Sequence, residues 1–268
     1  MEKLIFGMPT LIEMRTLRED LNLCRELGLK FVELNMNFPE FQQGTLPCAG
    51  ELRTLSKEYG VFFTLHLDEN LNIADFNPLV REAYVSTARF ALRLAAEAGM
   101  PIVNMHLHPG VYITLPDRKV YLYERDREHY LSCIRAFREM CREETRGTGV
   151  TMCVENTSGF RAHEREAVDT LLESPAFGLT WDIGHSAAVN EKDLPFLTER
   201  EGRLRHFHIH DGSAVPPRNH LALGDGEIDL SARLELAARH GCRCVLETKT
   251  AEALRRSAAW LRERGWMG

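Results

Sequence analysis

Carboxylates and imidazoles recur at the ends of short apolar runs along this 268-residue chain. In order they are His66 in TLHLDEN, His106 and His108 in NMHLHPG, Glu155 in MCVENT, Asp182 and His185 in TWDIGHS, His208 in HFHIHDG and Glu247 in CVLET. Donors of these two kinds are what Zn²⁺ or Mn²⁺ takes, and mixed sets also accept Co²⁺ or Fe²⁺. One such residue alone is ordinary: a lone histidine is usually a satisfied polar group, and Asp182 alone would serve as a helix cap. A series of them, one strand end after another, points to a metalloenzyme with one or two divalent ions.

The runs that carry these residues read as β-strands: 4–8, 30–35, 61–67, 101–108, 150–156, 177–183, 204–210 and 242–248. Helical patterns separate them. The clearest opens at Asn77-Pro78, an N-cap followed by proline in the first turn, and closes at Gly99. Val80, Tyr84, Thr87, Ala91 and Leu94 recur on its expected buried face. Gly28 and Gly60 punctuate the chain in the same way. Eight strands alternating with helices imply a parallel sheet, and eight strands close a barrel. The expected fold is a single (β/α)8 domain over 1–268, since no linker divides the chain. In such a barrel the C-terminal ends of the strands form the rim where chemistry sits. Period two puts His206, His208 and His210 on one face, and His106 with His108 on one face. One member of each set is expected to point into the mouth, and alternation does not say which.

Composition bounds the partners. A net charge of −6, from 33 basic and 39 acidic residues, does not suggest a nucleic-acid binder. No run is long enough to span a membrane and MEKLIFGMPT lacks a signal-peptide core, so the protein is expected in the cytoplasm. Seven cysteines with no Cys-x-x-Cys read as buried, reduced thiols. The partner is a small molecule, and a homo-oligomer stays open.

The Asp182-to-His185 and His208-to-Asp211 spacings, with HLALGDGEID from His220, resemble the xylose-isomerase-like TIM barrels. That superfamily joins sugar isomerases and epimerases to endonuclease IV-type enzymes that cut at abasic sites. The resemblance covers nearly the whole chain. It implies that Glu155, Asp182, His208 and Glu247 hold one divalent metal, as in ketose 3-epimerases. Its nuclease branch implies a further zinc at His66 and His106 with Glu155 bridging, and a third at His185 and His220. The aspartate that would complete the third is replaced by Arg218, which cannot ligate a cation. His185 and His220 are then free for substrate. The HPG tripeptide favours His108 as the ligand after the fourth strand and the distance from Gly99 favours His106. His106 is preferred, with His108 assigned to substrate.

The substitution at Arg218 and the acidic charge weigh against phosphodiester hydrolysis, which uses several ions and a surface that tracks a polyanion. The expected activity is metal-dependent isomerisation or epimerisation of a small sugar, sugar phosphate or related keto compound. Glu155 and Glu247 would remove and return a proton beside a polarised carbonyl. A zinc phosphodiesterase is the alternative, and a lyase or dehydratase on the same metal is another. Arg218 would grip substrate oxygens. Glu33 either reaches the mouth or orients a ligand. Lys249 is expected past the strand end, Asp211 to hold a loop or a ligand histidine, and Trp181 to pack in the core. Gly224-Asp225-Gly226 reads as a turn. The aromatic segment from Tyr112 reads as a lid or a plain surface excursion.

Overall fold

The computed structural model describes residues 4–268, and the strands fall where the alternation puts them. They are β1 (Ile5–Pro9), β2 (Phe31–Asn35), β3 (Phe62–His66), β4 (Ile102–His106), β5 (Thr151–Glu155), β6 (Phe177–Asp182), β7 (Leu204–Ile209) and β8 (Arg243–Leu246). All eight pair in parallel and close into one barrel in chain order, with β8 returning to β1.

Alternation splits each strand between two environments. Leu34, Leu65, Met105, Val154, Trp181 and Phe207 face outward into the helical layer and are buried there. The opposite parity faces the lumen. Most barrels fill this space with branched apolar residues, but here Glu33, Thr64, Asn104, Thr180 and His206 occupy it, all buried. Each stands two residues before Asn35, His66, His106, Asp182 and His208 respectively, so the polar parity continues up to the mouth.

The helix over Pro78–Ala98 starts and stops as its caps dictate. Asn77 accepts the Leu79 N–H, Pro78 sits in the first turn, and Gly99 closes the helix at φ 75°. Its buried stripe differs from the expected one. Ala91 and Leu94 of the expected stripe are buried, joined by Ala88, Leu92 and Ala95, whereas Tyr84 and Thr87 are half-buried and Val80 is 38% exposed near the helix start. Trp181 is core, its indole N–H donating to Ser186 Oγ. All seven cysteines are free; Cys48 departs from expectation in being exposed, at the start of the surface helix Ala49–Tyr59.

Two hairpins are added at the mouth. Tyr112–Thr114 pairs with Lys119–Tyr121, so the aromatic segment is ordered. It leads into Tyr123, whose hydroxyl donates to Asn72, and Tyr121 packs 6.0 Å from His163. The other hairpin, Asp211–Ala214 with Pro217–Leu221, carries Arg218 and His220. Asp211 fastens it: its carboxylate accepts the N–H groups of Gly212, Gly224 and Ile228. A Cβ on Gly226 would lie 2.3 Å from Asp211 Oδ1, so only glycine lets that loop close.

Candidate metal centre

Barrel closure brings the ends of β3 to β8 together around Glu155. Its carboxylate is 1% exposed. Oε2 stands 3.2 Å from His106 Nε2, 3.3 Å from His66 Nε2 and 3.2 Å from His208 Nδ1. It also accepts from Asn104 Nδ2, which Thr180 orients from below by donating to Asn104 Oδ1. Glu155 Oε1 is 3.5 Å from His185 Nδ1. Glu247 Oε2 is 3.1 Å from His208 Nδ1, and Glu247 Oε1 accepts from Lys249 Nζ at 2.8 Å. Asp182 Oδ2 lies 3.9 Å from His208 Nδ1. One donor atom from each of Glu155, Asp182, His208 and Glu247 lies within 4.8 Å of the others, and His66 with Glu155 and His208 forms a second such group.

These residues fit a divalent ion. His106 Nε2, His208 Nδ1 and Glu247 Oε2 are buried without a hydrogen-bond partner, which is costly unless something else uses their lone pairs. Ligand bonds of about 2.1 Å place neighbouring donors roughly 3.0–3.4 Å apart. The 3.1 Å and 3.2 Å separations at His208 fall in that range. The charges agree. Burial opposes ionisation of Glu155, but His208 and His106 outweigh it and hold the carboxyl well below the usual carboxylate range. For Glu247 burial is likewise overcome, first by His208 and then by Lys249. His208 is driven the other way: burial favours the neutral ring, yet Glu155, Glu247 and Glu33 raise its pKa well above the ordinary value. Three carboxylates, Glu33 and Glu155 buried and Glu247 nearly so, thus surround one imidazole, an excess of negative charge that suits a cation.

Glu33 lies beneath this centre, 2% exposed, and not at the mouth. Its carboxylate accepts from Thr64 Oγ1 at 2.8 Å and from His206 Nε2 at 2.9 Å. Its other oxygen is 2.9 Å from His208 Nε2, slightly off line for a hydrogen bond. That contact favours a proton on Nε2 and leaves Nδ1 facing the carboxylates. Burial opposes a charge on Glu33, but His208 and His206 hold its pKa below the carboxylate range. All three histidines of the HFHIH run therefore face inward, at different depths, instead of one.

His210 is the residue that alternation left without a role. Its Nδ1 accepts the His220 N–H at 2.7 Å and its Nε2 donates to Asp182 at 2.9 Å. Both nitrogens are committed, so His210 orients Asp182. Asp182 also caps the helix Ile183–Ala188 by accepting the His185 N–H, so the capping and cluster roles coincide. Asn156 locks the same turn: its side chain accepts from Asp182 N and donates to Asp182 O. His185 Nδ1 donates to Asn156 O and His220 Nδ1 donates to Glu247 O. His220 then presents an unprotonated Nε2. Burial opposes protonation of His185, but Asp182 and Glu155 raise its pKa to about 10. Burial lowers that of His220 to about 4, and the neighbouring His210 adds to this.

Two expected site residues stand apart from the cluster. Arg218 lies on the exposed strand of its hairpin, its Nε donating to Ser213 Oγ at 3.0 Å. His108 is half-buried in the loop after β4, where its Nδ1 accepts the Gly110 N–H, and burial lowers its pKa.

Comparison with known proteins agrees with the architecture. The chain is similar to an uncharacterised protein of Methanocaldococcus jannaschii, 24% identical over 231 residues, covering 83% of this chain and 79% of the other. In structure it is similar to a D-tagatose 3-epimerase-like protein, with a TM-score of 0.78 and 22% identity over 97% of this chain and 96% of that one. It is also similar to the IOLI protein solved with a bound zinc atom, with a TM-score of 0.73 and 16% identity over 97% of both chains. The model of the xylose isomerase-like TIM barrel family matches residues 21–264, and the chain belongs to that family.

Proposed function

We propose that this protein is a divalent-metal-dependent isomerase or epimerase of a small sugar or related keto compound. The observation that supports this most is the convergence of Glu155, Asp182, His208 and Glu247 at the strand ends, with Glu155 and Glu247 both against His208 Nδ1. The four would hold Mn²⁺ or Zn²⁺, and His66 with His106 would hold a second ion across Glu155. A bound ion supplies polarisation of a carbonyl and an adjacent hydroxyl, which acidifies the C–H between them. Glu155 and Glu247 come from β5 and from the loop after β8. One takes the proton from carbon, and the same or the other returns it; return to the opposite face gives the epimer. His185 and His220 turn their Nε2 atoms toward substrate hydroxyls, the first as a donor and the second as an acceptor, His108 lines the entrance, and Arg218 swings from Ser213 to grip substrate oxygens.

Two observations favour a second reading, a zinc phosphodiesterase. His66 and His106 flank Glu155 as a further ion would require, and His185, His210 and His220 form another close group. Against it, His210 is committed to Asp182, and Arg218 stands at the hairpin position assigned to the missing aspartate.

The test is exchange of a substrate C–H with deuterated water. Glu155→Gln and Glu247→Gln are expected to lower exchange by about 10²–10⁴-fold, the usual weight of a positioned acid or base. Metal content measured in parallel separates loss of the base from loss of the ion. Full exchange in both variants with metal retained would sink the proposal.

A further inference from the structure

We infer that Asp193 is a positioning residue of the metal centre, acting through Asn156 to set Asp182 and His185. This rests on the reading of Asp182 as a metal ligand. Asp193 lies away from the strand ends, on the segment between the helices Ile183–Ala188 and Leu194–Thr198. An aspartate just before a helix ordinarily caps it by accepting an N–H of the first turn. Asp193 holds that position, yet among the described residues its side chain caps nothing. It turns inward and is fully buried. Its Oδ2 accepts from Asn156 Nδ2 at 2.8 Å, and among the described residues its Oδ1 has no hydrogen-bond partner. The chain reaches this place through Asn190 and Glu191, both at φ 56°. Two successive non-glycine residues in the left-handed region are strained, and such strain gathers at functional sites.

The physical reason lies in the two ends of an amide. Asn156 directly follows Glu155 and faces the turn that carries Asp182. Its Oδ1 accepts the Asp182 N–H at 2.8 Å, and its Nδ2 donates to the Asp182 carbonyl at 2.9 Å. Its own carbonyl accepts from His185 Nδ1 at 3.2 Å. With the amide rotated by half a turn, nitrogen would meet the N–H and oxygen would meet the carbonyl, and both bonds to Asp182 would be lost. A carboxylate accepts and does not donate. Asp193 therefore draws Nδ2 to its side and leaves Oδ1 toward the Asp182 N–H. It selects the one orientation of the Asn156 amide that holds Asp182 in place, although it is itself no ligand. A buried carboxyl that neither caps its helix nor reaches the ion is costly to keep, and this selection accounts for it.

The test is competition for Co²⁺ between the full chain and a chromogenic chelator, with the visible ligand-field bands of the bound Co²⁺ read in the same samples. Those bands report the arrangement of ligands, which a general loss of stability leaves alone. Asp193→Ala is expected to lower Co²⁺ affinity by about 10–100-fold, the usual weight of a group that orients a ligand, and to change the bands. Asp193→Leu has a similar shape without an acceptor and repeats the test if the space left by alanine unfolds the chain. Asp193→Asn can still turn an oxygen to Asn156 Nδ2, so it is expected to keep affinity within about three-fold and the bands unchanged. In an Asn156→Ala background, Asp193→Ala is expected to add nothing further, because groups acting through one network are not additive. Parent-like affinity and bands in both Asp193→Ala and Asp193→Leu would overturn the inference and leave the metal reading standing. So would losses that add in full to that of Asn156→Ala, or an equal loss in Asp193→Asn. A parent protein that takes up no Co²⁺ would overturn the metal reading itself, and this inference with it.

Discussion

Asp20 shows how one buried carboxyl sets a pH dependence. It is 2% exposed and, among the described residues, its carboxylate accepts the Leu11 N–H alone. Burial pushes its pKa up to about 7, and nearby Glu19 and Glu40 add to the rise. The fold therefore prefers the protonated acid, while the unfolded chain ionises above about pH 4. The stability this group contributes is fully present below about pH 4 and is lost as pH rises to about 7. Asp20→Asn keeps an acceptor for Leu11 without a charge. It is expected to be more stable than the parent at pH 8 by about 2–4 kcal/mol, with the gap closing toward pH 4. Urea midpoints at both pH values check this; a less stable variant at pH 8 would show that Asp20 is ionised and well solvated.

At the scale of elements, the turn after β6 fixes Asp182 from three sides. Asn156, the helix it caps and His210 all hold it. Gly184 makes room for the last of these, since a Cβ there would lie 1.9 Å from His210 Cε1. Gly184→Ala is expected to push His210 off Asp182, to cost about 1–3 kcal/mol as overpacked sites do, and to weaken metal binding. Loss of ligand orientation typically lowers metal affinity by about 10–100-fold. Competition with a chromogenic chelator measures that affinity, and an unchanged value would show that His210 does not position Asp182.

For the whole molecule, metal and stability are linked. Glu33, Glu155 and Asp182 are buried within one barrel, and Glu247 stands beside them with its side chain 12% exposed. Protein prepared without chelator is expected to hold one or two divalent ions per chain by elemental analysis. Three stoichiometric zinc ions would favour the phosphodiesterase. An ion at about 100 times its Kd stabilises by about 2.7 kcal/mol. For a chain of this size that raises Tm by about 5–10 °C relative to chelator-stripped protein. No change in Tm on adding Mn²⁺ or Zn²⁺ would mean that the cluster does not bind them.

The strands, their parity and the caps at Asn77 and Gly99 were legible in the sequence because they rest on local physics: period-two alternation, proline geometry and positive φ. The acids and histidines at the strand ends could be read for the same reason. Tertiary structure decided the depths and the partners. Alternation places His206, His208 and His210 on one face, but only the closed barrel sends the first to Glu33, the second to Glu155 and Glu247, and the third to Asp182. Glu33 and His206 are 173 residues apart in the chain, and no local pattern joins them. The same holds for the hub role of Glu155, and for Glu13, which accepts the N–H of Ala251, 238 residues along the chain, at the start of the helix after β8. Composition and spacing determine which donors reach the rim. Closure of the barrel and the path of its loops determine which of them share a space small enough for one ion.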